Sequence, residues 1–274
     1  MHRFSFSNGS KKTRYMGIIN ISPDSFYEKS RCFSLEDAMK LAEKMANDGA
    51  DFLDLGAESS RPGSKPISEQ EELSKLIPVI SYLVKRIDIP ISVDTYKPIV
   101  AKEALLAGAK IINDITGMQK YQEMAEVISR YQAGVILMHM QGTPMTMQKN
   151  PSYENVVEEV KVFLENSVKI SEAAGINPDQ IAIDPGIGFG KNQKHNIELL
   201  KNLNKLGQLG KPVLLGVSRK SFIGNILGLP PQDRLGGSLG ASVIGVLKGA
   251  SIIRTHDIKE TCNAIKIAEA IMEG

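Results

Sequence analysis

Tryptophan is absent from this 274-residue chain, phenylalanine and tyrosine make up only 5% of it, and cysteine occurs twice, at positions 32 and 262. Two cysteines that far apart leave neither a disulfide framework nor a cysteine-rich zinc site, which fits a reducing compartment. An excess of one charge is lacking too. The 33 Lys plus Arg stand against 31 Asp plus Glu, a net +2. That is too little for a protein that holds nucleic acid or an anionic membrane by bulk charge. Nor is there a long hydrophobic run: the most apolar stretch, 241–253, is interrupted by Lys248 and is too short to span a bilayer. The opening MHRFSFSNGS has no apolar core for export. The expectation is a cytoplasmic protein with no membrane or nucleic-acid partner. At 42% hydrophobic and 23% charged residues, the composition excludes disorder and fibrous repeats.

What is present is a rhythm. Short apolar runs rich in Ile, Val and Leu occur at 15–21, 52–55, 91–93, 110–112, 134–138, 181–183, 212–216 and 251–253. Between them lie amphipathic stretches such as LEDAMKLAEKMA from Leu35 and EELSKLIPVISYL from Glu71, with apolar residues at three-and-four spacing. Strands buried under helices on both faces read as continuous apolar runs, and each strand-helix unit has about the length of a βαβ unit. Eight units in one chain predict a (β/α)8 barrel of the TIM type, with an open doubly wound sheet as the alternative. No linker or change in composition divides the chain, so residues 1–274 read as a single domain. The stretch 152–175 reads as one long helix. The loops at about 22–34 and 58–68 are unusually long, which marks functional or mobile segments.

The two ends of the runs differ in chemistry. They are entered from plain glycine turns, Asp48-Gly49-Ala50, Ala107-Gly108-Ala109 and Gly249-Ala250, which read as helix caps. They are left through Asn20, Glu58 to Arg61, Asp94, Asn113 with Asp114, His139, Asp184, Arg219 with Lys220, and Arg254 with His256. In a closed parallel barrel all these exits converge on one mouth, where active sites of this fold lie. An enzyme or small-molecule binder is the leading class.

Asp94, Asn113, Asp184 and Lys220 offer two carboxylates, an amide and an ammonium. That set grips a flat heterocycle whose edge alternates donors and acceptors, as a 2-amino-4-oxo pyrimidine ring does. The plainer alternatives are that Asp94 caps the helix starting near Lys97 and that Asp184 stabilises the turn at Pro185-Gly186. Arg61, Arg254 and His256 add positive charge and Asn20 a neutral oxygen, a mixture suited to a phosphorylated group with magnesium. The alternative for Arg254 and His256 is contact with the last helix. The glycines of GIGFGK at 186–191 match neither Walker nor dinucleotide spacing and read as a tight loop beside a ligand.

Taken together, these strings resemble the dihydropteroate synthase family of the folate pathway. GIINISPDSF from Gly17 and DLGAESSRPG from Asp54 resemble its two signature stretches. SVDT, INDI, MHMQGTP, DPGIGFGK, GVSRKSFIG and RTHD continue the match, in order, over nearly the whole chain. The resemblance implies a TIM-barrel homodimer that joins 4-aminobenzoate to 6-hydroxymethyl-7,8-dihydropterin diphosphate, releasing pyrophosphate and inhibited by sulfonamides. It implies pterin contacts from Asp94, Asn113, Asp184 and Lys220, and diphosphate contacts from Asn20, Arg61, Arg254 and His256, with Mg2+ at Asn20. It implies an aminobenzoate pocket of Phe26, Ser60, Pro62, Phe189, Lys220 and Ser221. Asp94, Lys220, Arg254 and His256 are the expected catalytic groups.

Three departures stand out. Ser22 and Ser60 occupy positions where the family usually has Thr, Ala57 replaces the second Gly of a pair, and YEKS follows Phe26 in place of SDGG. Because Phe26, Ser60 and Pro62 lie on the long loops, aminobenzoate is expected to bind after the diphosphate. The small residues Gly240, Ala241 and Gly245 of the last helices are candidates for the dimer contact, or else pack on the barrel itself. A corrinoid-linked folate methyltransferase and a pterin-binding paralogue without synthase activity are the competing classes.

Overall fold

The computed structural model describes residues 3–7, 13–21 and 35–273. Its eight parallel strands are β1 Arg14–Asn20, β2 Phe52–Gly56, β3 Ile91–Asp94, β4 Ile111–Asp114, β5 Gly134–Met138, β6 Ile181–Asp184, β7 Leu214–Gly216 and β8 Ile252–Thr255. They hydrogen-bond in chain order, and β1 pairs with both β2 and β8. Between β6 and β7 the ladder shrinks to one bridge, Ile183 with Val213, and one bond from Ile183 N to the Pro212 carbonyl at 2.9 Å. The apolar run at 212–216 becomes a strand only from Leu214, since Pro212 has no N–H to donate. That bridge closes the ring, so the structure is the barrel and not the open sheet.

Helices follow the strands: α1 Leu35–Asn47, α2 Glu69–Leu83, α3 Pro98–Ala107, α4 Glu123–Tyr131, α5 Val156–Ala173, α6 Gln193–Lys201, α7 Asn204–Gly207, α8 Ser221–Leu227, α9 Leu235–Leu247 and α10 Ile258–Glu273. The long α5 begins at an Asn155 cap, whose side chain accepts from Val157 N and Glu158 N. Gly49, Gly108 and Gly249 have φ of 101°, 116° and 100°, as the left-handed turns at the strand entrances require.

Strand side chains alternate. Ile19, Leu53, Leu55, Val93, Ile112, Val135, Leu137, Ile183, Leu215 and Ile253 face the helices in the main core. Met16, Phe52, Ile111, Ile136, Ala182, Leu214 and Ile252 fill the barrel interior together with Phe6. The arm before β1 closes the lower end: Phe4 and Phe6 stack edge-on, Phe6 N donates to the Asp179 carbonyl, and Arg3 pairs with Asp179. Two residues beyond Phe52, Ile111, Ala182 and Ile252, the same inward face carries Asp54, Asn113, Asp184 and Arg254. A period of two therefore turns an apolar plug at the bottom into a polar floor at the top.

Of the small residues near the C-terminus, Gly245 packs on the barrel, since a Cβ there would lie 2.1 Å from Leu215 Cδ2. Gly240 is open, with nothing within 4 Å of such a Cβ.

Candidate active site

One cavity occupies the C-terminal mouth of the barrel, about 950 Å³ counted out to its opening. Asn20, Ser60, Arg61, Pro62, Asp94, Phe189, Lys220, Ser221, Arg254 and His256 all line it. Asn113, one residue before the end of β4, and Asp184, at the end of β6, are buried. Phe26 falls outside the described residues, as do Ser22 and Glu28 of the first loop. Three polar exits turn elsewhere. Asp114 accepts from Thr116 N, Thr116 Oγ1 and Met118 N and so builds its own turn. His139 faces Lys191, with 2.8 Å between Nδ1 and Nζ. Arg219 makes a bidentate pair with Asp257, at 2.9 and 2.8 Å, and caps two carbonyls near α9.

The floor is organised around Arg254. Its Nε donates to Asp54 Oδ2 at 2.7 Å and its Nη2 to Asp94 Oδ2 at 3.2 Å. Asn113 Nδ2 donates to the same Asp54 oxygen at 3.1 Å. Arg254 therefore does not turn to α10, and Asp94 does not cap α3, whose N-cap Lys97 has no side-chain cap bond. Burial, then the Asp54 carboxylate, push Asp94 up to about 8, while Arg254 pulls the other way. Burial disfavours the Arg254 cation, yet Asp54 and Asp94 outweigh it and hold its pKa above the usual value. Asp184 both bonds Gly186 N, at 2.7 Å, and sits opposite Lys220; burial raises its pKa and the ammonium opposes the rise. Its turn-stabilising role and its place in the floor coexist. Lys220 Nζ donates to the Ile187 carbonyl and lies 4.7 Å from the Phe189 ring centroid; burial lowers its pKa to about 8.

Asp54 Oδ1 and Asn113 Oδ1 are buried at this floor without a partner among the described residues. Orphaned buried acceptors cost free energy, and here they lie where a donor-rich ring edge would pair with them.

Around His256, burial, then Arg254, Arg219 and Lys220, push the pKa down to about 3 and favour the neutral imidazole. Its Nδ1 lies 2.9 Å from Ser218 Oγ, which fixes the ring against β7. It offers a hydrogen bond to an anion, while Arg61 and Arg254 carry the charge.

Sequence reasoning assigned no role to Asp54, Glu58, Lys97 or Ser218. Asp54 left a signal, a carboxylate in the middle of the apolar strand FLDLG. Glu58 was marked only as one of the polar exits, and Lys97 and Ser218 left no signal, because their significance lies in partners from distant segments.

A barrel whose mouth presents this floor under a cationic rim is that of a pterin-binding enzyme. The family model for pterin binding enzymes matches residues 16–256, and the chain belongs to that family. Within it the chain stands with the dihydropteroate synthases. The Escherichia coli (strain K12) dihydropteroate synthase is 44% identical over 259 residues, covering 94% of this chain and 92% of that protein. The Yersinia pestis dihydropteroate synthase, solved as a sulfonamide drug complex, superposes with a TM-score of 0.91 at 42% identity, covering 96% and 94% of the two chains. The Xanthomonas albilineans enzyme, solved with 4-aminobenzoic acid, gives a TM-score of 0.89 at 39% identity over 96% and 94%.

Proposed function

We propose that this chain is an active dihydropteroate synthase, condensing 6-hydroxymethyl-7,8-dihydropterin diphosphate with 4-aminobenzoate to give 7,8-dihydropteroate and pyrophosphate. The observation that carries the reading is the floor itself: Asp94, Asn113, Asp184 and Lys220 converge beneath Arg254, with two buried acceptors unpaired. The pterin ring edge takes those positions. Its diphosphate lies toward Asn20, Arg61, Arg254 and His256. Ser60, Pro62, Phe189, Lys220 and Ser221, with Phe26 on the first loop, receive aminobenzoate and its sulfonamide mimics.

The C–O bond to diphosphate breaks first, and its electron pair leaves with the diphosphate. The cation that remains is delocalised over the dihydropterin. A carboxylate poorly solvated in its own site gains more from a developing cation than one in water does, and that is the role of Asp94. Arg254, held in place by Asp54, and Arg61 meet the charge on the leaving group, while His256 donates a hydrogen bond. The amine nitrogen of aminobenzoate then bonds to the exocyclic carbon and sheds a proton to solvent, so no protein base is needed.

Among the described residues no cluster of three His, Cys, Asp or Glu side chains could hold a metal ion. Asn20 contributes a hard oxygen beside Gly56 and Asp94. This donor set fits a magnesium ion that takes one ligand from the protein and the rest from diphosphate and water, neutralising phosphate charge when bound.

The exposed apolar side chains Ile244 and Leu247 of α9 and Ile267 and Ile271 of α10, helices that pack together, support a homodimer through this face. Sedimentation as a monomer at micromolar concentration would remove it. No described helix is long and apolar enough to cross a membrane, in keeping with a cytoplasmic enzyme, for which cell fractionation is the test.

Incubation with the dihydropterin diphosphate, 4-aminobenzoate and Mg2+ tests the whole reading. Stoichiometric pyrophosphate and dihydropteroate are expected, and omission of any one component should abolish both. A paralogue without synthase activity would bind pterin and release nothing.

A further inference from the structure

The loop 58–68 carries Ser60, Arg61 and Pro62 into the cavity, and both of its ends meet one buried ammonium. Lys97, at the N-cap of α3, donates from Nζ to Glu58 Oε2 at 2.6 Å, to Glu72 Oε2 at 2.6 Å and to the Ile67 carbonyl at 2.8 Å. All three N–H bonds are used. Glu58 starts the loop and Ile67 nearly ends it, and Ile67 N returns a bond to Glu58 Oε2 at 3.1 Å. The other Glu58 oxygen accepts from Tyr96 OH at 2.9 Å. The side chains of Lys97, Glu58 and Glu72 are only 9%, 11% and 1% exposed, so the charges attract one another with little screening.

Within the loop, Ser64 Oγ donates to the carbonyls of Ser59 and Arg61. The tip meets the rest of the molecule through Gly63 N, which donates to the Pro144 carbonyl at 2.9 Å. Behind the tip lies a second cavity of about 1120 Å³, bordered by Ser64, Pro66, Tyr96, Met140 and Phe163, so side-chain packing does not support the loop from that side. Its base is held by the Lys97 network and its tip by the Gly63 bond.

We propose that Lys97 is a positioning residue for the second substrate: by clamping Glu58 and Ile67 together it closes the base of the loop and presents Ser60, Arg61 and Pro62 to the aminobenzoate pocket. Lys97 does not line the cavity and touches no reacting atom. It sets how often the pocket is formed, so its loss lowers apparent affinity for aminobenzoate and leaves the pterin floor intact. The proposal rests on the synthase reading of the site.

Two variants test it. Lys97→Met with Glu72→Leu removes the ammonium without stranding the fully buried carboxylate of Glu72. Glu58→Gln keeps the shape and weakens the clamp with little risk to folding. The wild-type enzyme and both variants are compared by steady-state kinetics, by calorimetry with 6-hydroxymethylpterin, which lacks the diphosphate, and by thermal melting.

The double variant should raise KM for aminobenzoate about tenfold and Glu58→Gln about threefold. The 6-hydroxymethylpterin Kd should stay within about twofold of wild type in both. A merely structural Lys97 would lower the melting temperature and the active fraction while KM stayed put, and that outcome overturns the proposal. If the double variant does not fold, an unmoved KM in Glu58→Gln overturns it alone. Wild-type enzyme that made no product would instead sink the synthase reading, whatever the variants did.

Discussion

At the scale of the residue, one strand end holds the chemistry and another tunes it. Asp94 pairs with an arginine that also binds a second carboxylate, Asp54, in a site that solvates its charge poorly. Its replacement by Asn keeps the shape and the hydrogen-bonding edge but loses the charge that opposes the pterin cation. We expect Asp94→Asn to lower kcat about 100-fold or more while changing pterin affinity far less. Equal losses in both would make Asp94 a binding group only. The pH profile follows from two shifts. Asp94 is raised to about 8, so its charge is lost as pH falls through that value. Lys220 is lowered to about 8, so its charge is lost as pH rises through the same value. The kcat/KM for the dihydropterin diphosphate should be bell-shaped with its maximum near pH 8, the limbs belonging to the pair of groups. In Lys220→Arg the guanidinium stays charged, and the alkaline limb should disappear from the pH–rate profile; its persistence would assign that limb to another group.

At the scale of the element, the turn after β6 depends on close backbone approach. Gly186 has φ of 65°, and a Cβ there would lie 1.9 Å from the His139 carbonyl oxygen. Backbone from two strands cannot separate without disturbing Asp184, which bonds Gly186 N. Gly188, two residues on with φ of 85°, would bring a Cβ only to 3.4 Å from Lys220 Cδ, a side chain able to yield. Chemical denaturation should therefore rank the two sites. Gly186→Ala should cost about 3 kcal/mol or more. Gly188→Ala should cost only the left-handed backbone term, about 1–2 kcal/mol. Equal costs would mean that the β5–β6 contact gives way more easily than its geometry indicates.

For the whole molecule, acid is the weakness that burial builds in. His139 is 6% exposed, and burial followed by the nearby Lys191 lowers its pKa from 6.5 to about 3. Between those values the unfolded chain takes up a proton that the folded protein refuses. Stability therefore falls as pH drops below 6.5, and the loss continues until about pH 3. At pH 5 the loss from this one group is about 2 kcal/mol. Urea unfolding at pH 7.5 and 5 should record that difference in the wild type and a smaller one in His139→Asn; equal slopes would acquit the histidine.

The barrel was legible because burial on both faces leaves a mark in composition: eight short Ile, Val and Leu runs could only be strands covered by helices. The plain entrances and polar exits were legible too, since a parallel topology sends every exit to one rim, and from that alone Asp94, Asn113, Asp184, Lys220 and Arg254 could be grouped. What only the tertiary structure decided is how those groups meet. Closure rests on the single Ile183–Val213 bridge, which no periodicity encodes. Asp114, His139 and Arg219 have the same polar character as their neighbours at the exits, yet they face a turn, the Lys191 side chain and the Asp257 carboxylate, respectively. His256 reads as a cation by residue type, whereas burial, and then Arg254, Arg219 and Lys220, favour its neutral form. Lys97 looks like an ordinary helix start and becomes a clamp because Glu58, Glu72 and Ile67 come to it from 25 to 39 residues away. Local sequence sets period and polarity, which act between near neighbours. Charge state and partnership depend on burial and on contacts between distant segments, and those exist only once the ring of strands has closed.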